Sequence, residues 1–203
     1  MASNNSSLYL SMIENKQIVG IVLSGGKSSR MGTEKGLVKW KGKSLIEYSV
    51  DCLRNTCKNI VVSSNKDCYD YLSLPVVADE IKDCGPIGGI YSCMKAVKAD
   101  YYLVLACDVP NVPFQLFNDL LLNIGNADAI FPTDKGERGQ PLISVYKASC
   151  FKVIEEELLK GNYKMMKLLG LLTTKTFSVS EELTYFNPKM LSNANSLHDI
   201  NFL

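Results

Sequence analysis

A single-domain, three-layer α/β/α fold built on a mostly parallel sheet is what this sequence predicts, from three observations. Ile18 to Leu23, Asn59 to Val62 and Tyr101 to Ala106 are nearly continuous apolar runs of strand length, the composition of parallel strands buried on both faces. Between them lie stretches whose apolar residues recur at helical spacing, and such alternation indicates a parallel sheet covered on both sides. The 203 residues are near the upper size of one domain, and no internal repeat, low-complexity tract or long linker divides them.

Taken in order, residues 1–16 are expected to form a mobile extension, because Asn4, Asn5, Ser6 and Ser7 favour disorder; one domain then spans residues 17–203. The first strand, Ile18 to Leu23, breaks into Ser24-Gly25-Gly26, a turn that lets a ligand approach backbone amides. Val38 to Trp40 is a short extended piece, followed by a tight turn at Lys41-Gly42-Lys43. Ser44 with Glu47 then forms a capping box that starts a helix, whose inner stripe is Leu45, Ile46, Ser49, Val50, Cys52 and Leu53.

Asn59 to Val62 is the second strand and Val76 to Ala78 the third, ending in Asp79. Cys84 to Ile90 is expected to be a glycine-rich loop approaching the same cleft, with Ile87, Ile90, Tyr91, Met94 and Val97 at helical spacing. Tyr101 to Ala106 runs into Cys107-Asp108-Val109-Pro110, so an acidic side chain stands at a strand's carboxyl end. A helix over Phe114 to Asn123 follows. Two strands, Asp128 to Phe131 and Leu142 to Tyr146, flank a polar loop, Pro132 to Gln140. Helices over Ser149 to Leu159 and Tyr163 to Leu169 precede a last strand, Thr174 to Val179.

Composition excludes several functions. With 22 basic and 21 acidic side chains the net charge is +1, against a general nucleic-acid or anionic-membrane surface, so local positive charge must bind any anion. Seven cysteines, an odd number without a C-x-x-C pair, are expected to be reduced and buried, as in a cytoplasmic protein. The only histidine, His198, stands almost at the end of the chain, against a histidine-based nucleophilic triad. The amino-terminal residues lack a charged start followed by a sustained apolar run, which predicts neither a signal peptide nor a membrane helix.

The glycine segment fits neither familiar nucleotide motif. A P-loop ending at Lys27 needs glycine at position 21, which is Ile21; a G-x-G-x-x-G fingerprint fails because the next glycine after Gly25 and Gly26 is Gly32. The string L-S-G-G-K-S-S-R-M-G-T-E-K, residues 23–35, instead resembles the signature L-A-G-G-x-S-x-R-M-G-x-D-K of the molybdenum-cofactor guanylyltransferases, with Arg30, Met31, Gly32 and Lys35 in register. Gly85 to Ile90 resembles that family's G-P-L-x-G-I element, and Cys107 to Pro110 its C-D-x-P element, in the same order. Farther on, the resemblance thins to Gln140-Pro141-Leu142 and to Asn193 to Ser196, which is similar to N-x-N-T.

That resemblance implies a Rossmann-like, nucleotide-diphospho-sugar-transferase-like fold and transfer of GMP from GTP to the terminal phosphate of a molybdenum-pterin cofactor. The products are the guanine dinucleotide cofactor and pyrophosphate. Catalysis of this type rests on positioning and charge neutralisation. Arg30, with a planar fork, and Lys35, with a compact charge, would face phosphates. Asp108 would hold Mg²⁺, which takes oxygen ligands from one or two carboxylates and substrate phosphates. GTP would lie against Leu23, Ser24, Gly25, Gly26, Lys35, Asp79 and Asp108, with amides of Ser24 to Ser28 cradling its phosphates. Gly25, lacking a Cβ, leaves room for a purine, and either Ser63 or Asn65 supplies a hydrogen bond to the base. The acceptor is expected near Arg138, Gln140 and Asn195. The implied partners are GTP, the molybdenum-pterin, molybdenum-insertion proteins and acceptor molybdoenzymes, with no nucleic acid and no membrane. A cytidylyl- or sugar-phosphate nucleotidyltransferase of the same fold, or a non-catalytic nucleotide-binding regulator, are the alternatives.

Overall fold

Strand β1 (Ile18–Leu23) occupies the middle of the sheet, as its run of apolar residues requires. The computed structural model describes residues 15–25, 34–134 and 138–200. Residues 1–14 of the expected extension, together with Gly26 and Arg30, lie outside the described residues. Lys16 pairs with Asp100 at 3.6 Å, and the Gln17 amide donates to the same carboxylate at 2.8 Å.

After β1 the chain makes a small hairpin, β2 (Lys39–Trp40) and β3 (Lys43–Ser44), and enters helix α1 (Leu45–Arg54). Lys41 and Gly42 both have positive φ, 45° and 89°, the pattern of a two-residue hairpin turn that glycine eases. The capping box forms: the Ser44 amide donates to Glu47 Oε2 at 2.7 Å, and the Ser44 hydroxyl reaches the same oxygen. All six residues expected on the inner stripe of α1 are buried.

β4 (Asn59–Ser63), β5 (Val76–Val77), α2 (Pro86–Ala96), β6 (Tyr101–Ala106) and α3 (Phe114–Asn123) follow. The carboxyl-terminal part consists of β7 (Ala129–Asp134), β8 (Arg138–Gly139), β9 (Ile143–Lys147), α4 (Cys150–Leu159), α5 (Met165–Leu169), β10 (Thr174–Val179) and α6 (Leu197–Ile200). The strand order is β10-β7-β9-β6-β1-β4-β5, with β8 added to β7. β1 runs parallel to β4 and β6, and Leu23 is in register with both Ser63 and Ala106. The carboxyl ends of three strands therefore open at one level. α1 and α3 pack on one face with Val22 and Leu105, while α2, α4 and α5 pack on the other with Val19, Ile21 and Val104, giving the three layers.

Two expectations are corrected. The stretch from Pro86 onward is helix and not a glycine loop: Gly88 and Gly89 lie in the first turns of α2, where Pro86 takes the favoured first position. A Cβ at Gly89 would stand 2.3 Å from Ser63 Oγ, so glycine lets the helix press onto the end of β4. The polar loop is also shorter than expected, because Pro132 belongs to β7 and residues 138–139 pair back onto that strand. β9 runs antiparallel to both β6 and β7, and β8 antiparallel to β7; these are the exceptions to the parallel order among the described strands of this sheet. Among the described residues, no helix is long and apolar enough to cross a membrane.

Candidate functional site

The chain leaves β1 for β4 on one side and later returns to β6 on the other, so the crevice outside these strands is the switch point where open α/β sheets bind ligands. A cleft of about 880 Å³ opens there. Among the described residues its lining includes Ser24 and Gly25 after β1, Ser63 to Lys66 after β4, and Asp108 after β6. The start of α2 closes one side with Gly85, Pro86 and Gly89.

Of the residues expected to bind nucleotide, Leu23, Ser24, Gly25, Lys35, Ser63, Asn65, Asp79 and Asp108 all line this cleft. Their availability differs. The Ser24 amide donates to Ser63 O at 3.0 Å, and Leu23 O accepts from the Cys107 amide at 3.0 Å. These two backbone groups hold the strand ends together, so the Ser24 amide, expected in a phosphate cradle, is already engaged within the sheet. Gly25 is open: a Cβ there would meet no atom of the other described residues within 4 Å.

Lys35 and Asp108, expected to act separately on phosphate and metal, are paired, with Nζ 2.6 Å from Oδ2. Lys35 Nζ also donates to Asn195 Oδ1 at 3.0 Å. The backbone carries Asn195 to this place, because the Ala194 amide donates to Asp108 O at 2.8 Å. The second carboxylate oxygen, Asp108 Oδ1, is buried without a hydrogen-bond partner among the described residues. An orphaned buried acceptor is costly, and a hard cation is a suitable partner for it. No group of three or more His, Cys, Asp or Glu gathers among the described residues. A metal held by Asp108 would therefore complete its shell with ligand oxygens, the habit of Mg²⁺. Next to it, burial and then the Asp108 charge push the Cys107 thiol up to about 12, which argues against a thiolate nucleophile.

Asn65 and Asp79 form a reciprocal pair: Asn65 Nδ2 donates to Asp79 Oδ2 at 2.9 Å, and the Asp79 amide donates to Asn65 Oδ1 at 2.8 Å. Ser63 is buried at the end of β4 with its hydroxyl towards α2, whereas Asn65 is exposed in the cleft. Of the three residues expected near the acceptor, one is placed in the cleft. Asn195 is in the cleft, Gln140 is not among its described lining residues, and the Arg138 side chain lies outside what is described. Lys167, on α5, lies 3.9 Å from Glu157.

Several cleft residues escaped sequence reasoning. Glu34, adjacent to Lys35, and Lys66, adjacent to Asn65, are ion-paired across the cleft. Their position beside motif residues was the available signal. Tyr69, which reaches Glu34 from behind, carried no such signal.

The fold is that of nucleotidyltransferases. The chain superposes with a TM-score of 0.74 on 4-diphosphocytidyl-2C-methyl-D-erythritol synthase from Anaerococcus prevotii, at 14% identity over 95% of this chain and 96% of that one, a likeness of fold alone. The chain belongs to the MobA-like NTP transferase family, whose domain model matches residues 20–176. It is 39% identical over 149 residues to a probable molybdenum cofactor guanylyltransferase of Bacillus cereus, covering 68% of this chain and 74% of the relative. A relative of the same description from Flavobacterium johnsoniae is 30% identical over 181 residues, covering 89% and 94%. Molybdopterin-guanine dinucleotide biosynthesis protein A of Archaeoglobus fulgidus has a similar structure, with a TM-score of 0.75 and 26% identity over 91% of this chain and 95% of that one.

Proposed function

We infer that this protein is a molybdenum cofactor guanylyltransferase, transferring GMP from GTP to the terminal phosphate of the molybdenum-pterin cofactor. An oxygen of the acceptor phosphate attacks the α-phosphorus of GTP, the bond from that phosphorus to the bridging oxygen of the β-phosphate breaks, and pyrophosphate leaves. The observation that carries the reading is the Lys35–Asp108 pair at the switch-point crevice of a MobA-like domain.

Lys35 gives its charge to the phosphates as they displace the Asp108 contact, and Asn195 keeps its ammonium group pointed into the cleft. Asp108 is the carboxylate suited to Mg²⁺, with Oδ1 lacking any partner among the described residues. When bound there, Mg²⁺ supplies charge neutralisation to the reacting phosphates. The amide of Gly25 faces the phosphate side, and Arg30, which the family signature assigns to phosphate, lies outside the described residues. Asn65 and Asp79 fix each other on the nucleotide side of the crevice. The acceptor enters from the side of Asn195, with Gln140 and Arg138, earlier in the chain, as its further candidate contacts. The absence of disulfides, with all seven cysteines free, supports a cytoplasmic site of action, where molybdenum-insertion proteins and acceptor molybdoenzymes are the partners to expect.

The test is pyrophosphate release with Mg²⁺, the molybdenum-pterin acceptor and either GTP or CTP. Release that requires the acceptor and prefers GTP is expected. Preference for CTP, or no release from either nucleotide, would overturn the reading.

A further inference from the structure

Tyr69 fastens both ends of the glycine segment. It belongs to no strand or helix, only to the approach to a 3-10 turn at Asp70–Leu72, yet it is 0% exposed. Its hydroxyl donates to Glu34 Oε1 at 3.0 Å and lies 2.5 Å from Ser24 Oγ. A phenol has one proton, and here Glu34 receives it, so Ser24 is the donor in the second contact. Burial pushes the phenol well above its ordinary range, which keeps that proton in place.

Ser24 follows β1 directly, and Glu34 directly precedes Lys35. The phenol therefore joins the point where the chain leaves the sheet to the point where it returns with its cation. Glu34 Oε2 is held in turn by Lys66. At Gly36 the returning backbone lies against this bridge: a Cβ there would stand 2.5 Å from Tyr69 Oη and 2.6 Å from Ser24 Oγ. Burial of the ring alone would be met equally well by phenylalanine; the two hydroxyl contacts would not.

We propose that Tyr69 is a positioning residue for nucleotidyl transfer, its hydroxyl fixing Lys35 and the Gly25 amide relative to each other so that both meet the triphosphate. This rests on the reading of the crevice as a triphosphate site. Tyr69→Phe and Ser24→Ala cut the bridge at its two contacts, and Ser24→Ala carries the test if the first variant fails to fold. Each should raise the KM for GTP by about tenfold, the equivalent of one hydrogen bond, while leaving the acceptor KM unchanged. The double variant should be no worse than either single one, because both remove the same bridge. In the ligand-free variants, hydrogen exchange should quicken at Gly25 and at residues 34–36, with exchange in β10 unchanged.

A wild-type GTP KM in both variants, whether or not their melting temperatures fall, would overturn the positioning role and leave the functional reading intact. Additive effects in the double variant would do the same. A wild-type protein that binds no nucleoside triphosphate would overturn the functional reading, and the positioning role with it.

Discussion

The two halves of the sheet treat their polar residues differently. Beside β7, β9 and β10, the carboxylates of Glu157 and Asp128 are closed by protein groups. Glu157 accepts from Lys160 at 2.9 Å and Asn162 at 2.8 Å; Asp128 accepts from Ser149 at 2.8 Å and from the Thr173 amide at 3.0 Å. At the ends of β1 and β6 Lys35 reaches Asp108 across 73 positions and Asn195 across 160. One carboxylate oxygen there, Asp108 Oδ1, has no partner among the described residues. Charges closed by neighbours stabilise a scaffold, whereas charges gathered at strand ends and left incomplete are free to act on a ligand. On the proposed function, the β1, β4 and β6 half carries the chemistry and the β7, β9 and β10 half supports it.

Leu168, on the buried side of α5 and 1% exposed, offers the largest separation of these roles. Leu168→Ala should lower stability by about 2–5 kcal/mol, as large-to-small core changes do, while GTP affinity below the transition stays at the wild-type value; thermal unfolding and nucleotide titration check both. Asp108→Asn should do the reverse. Removing the charge that suits Mg²⁺ should cut pyrophosphate release by at least about 10²-fold, the scale of one preorganised electrostatic contact, with the unfolding transition retained and the Mg²⁺ dependence altered. Wild-type rates with an unchanged Mg²⁺ dependence would reduce Asp108 to a turn residue.

Lys35→Ala sharpens the division within the crevice. GTP binding should weaken by about tenfold, one charge-assisted contact's worth, with native-like circular dichroism; a lost transition with normal GTP binding would make Lys35 structural. Ser44→Ala, at the cap of α1, should cost about 1 kcal/mol in a denaturant titration and leave turnover unaltered. Its partner Glu47 has a smaller, pH-dependent effect. Hydrogen bonds from the Ser44 side chain and then its backbone hold the Glu47 carboxyl below its ordinary 4.5. A lowered folded value means that its stabilisation is present above the ordinary value and is lost as pH falls through the folded one. Glu47→Gln should flatten that part of the acid unfolding profile.

Much of the crevice was legible in the sequence because each of its pieces is local. A buried strand that ends in Ser24-Gly25, and another that ends in Cys107-Asp108, announce themselves through composition. The parallel register then places them side by side. What local pattern cannot convey is which groups close on which. The Leu23 and Ser24 backbone groups are spent on neighbouring strands, and Lys35 rests on Asp108, both consequences of contacts distant in sequence. Gly88 and Gly89 count against a helix by propensity, yet close approach to Ser63 favours them there, and only Pro86 signalled the helix start. β9 reads as a strand without reading as antiparallel, since an apolar run carries no direction. Tyr69 sits in a polar stretch without periodicity, so its burial could be found only in three dimensions.

Hydrogen exchange of the wild-type protein, with and without GTP and Mg²⁺, tests the division of labour most directly. Binding should slow exchange at the carboxyl ends of β1, β4 and β6, over residues 23–25, 63–66 and 106–108, and around Lys35. Exchange in β7, β9 and β10 should stay as it is in the free protein. Protection concentrated in those three strands, with none at the ends of β1, β4 and β6, would contradict the account.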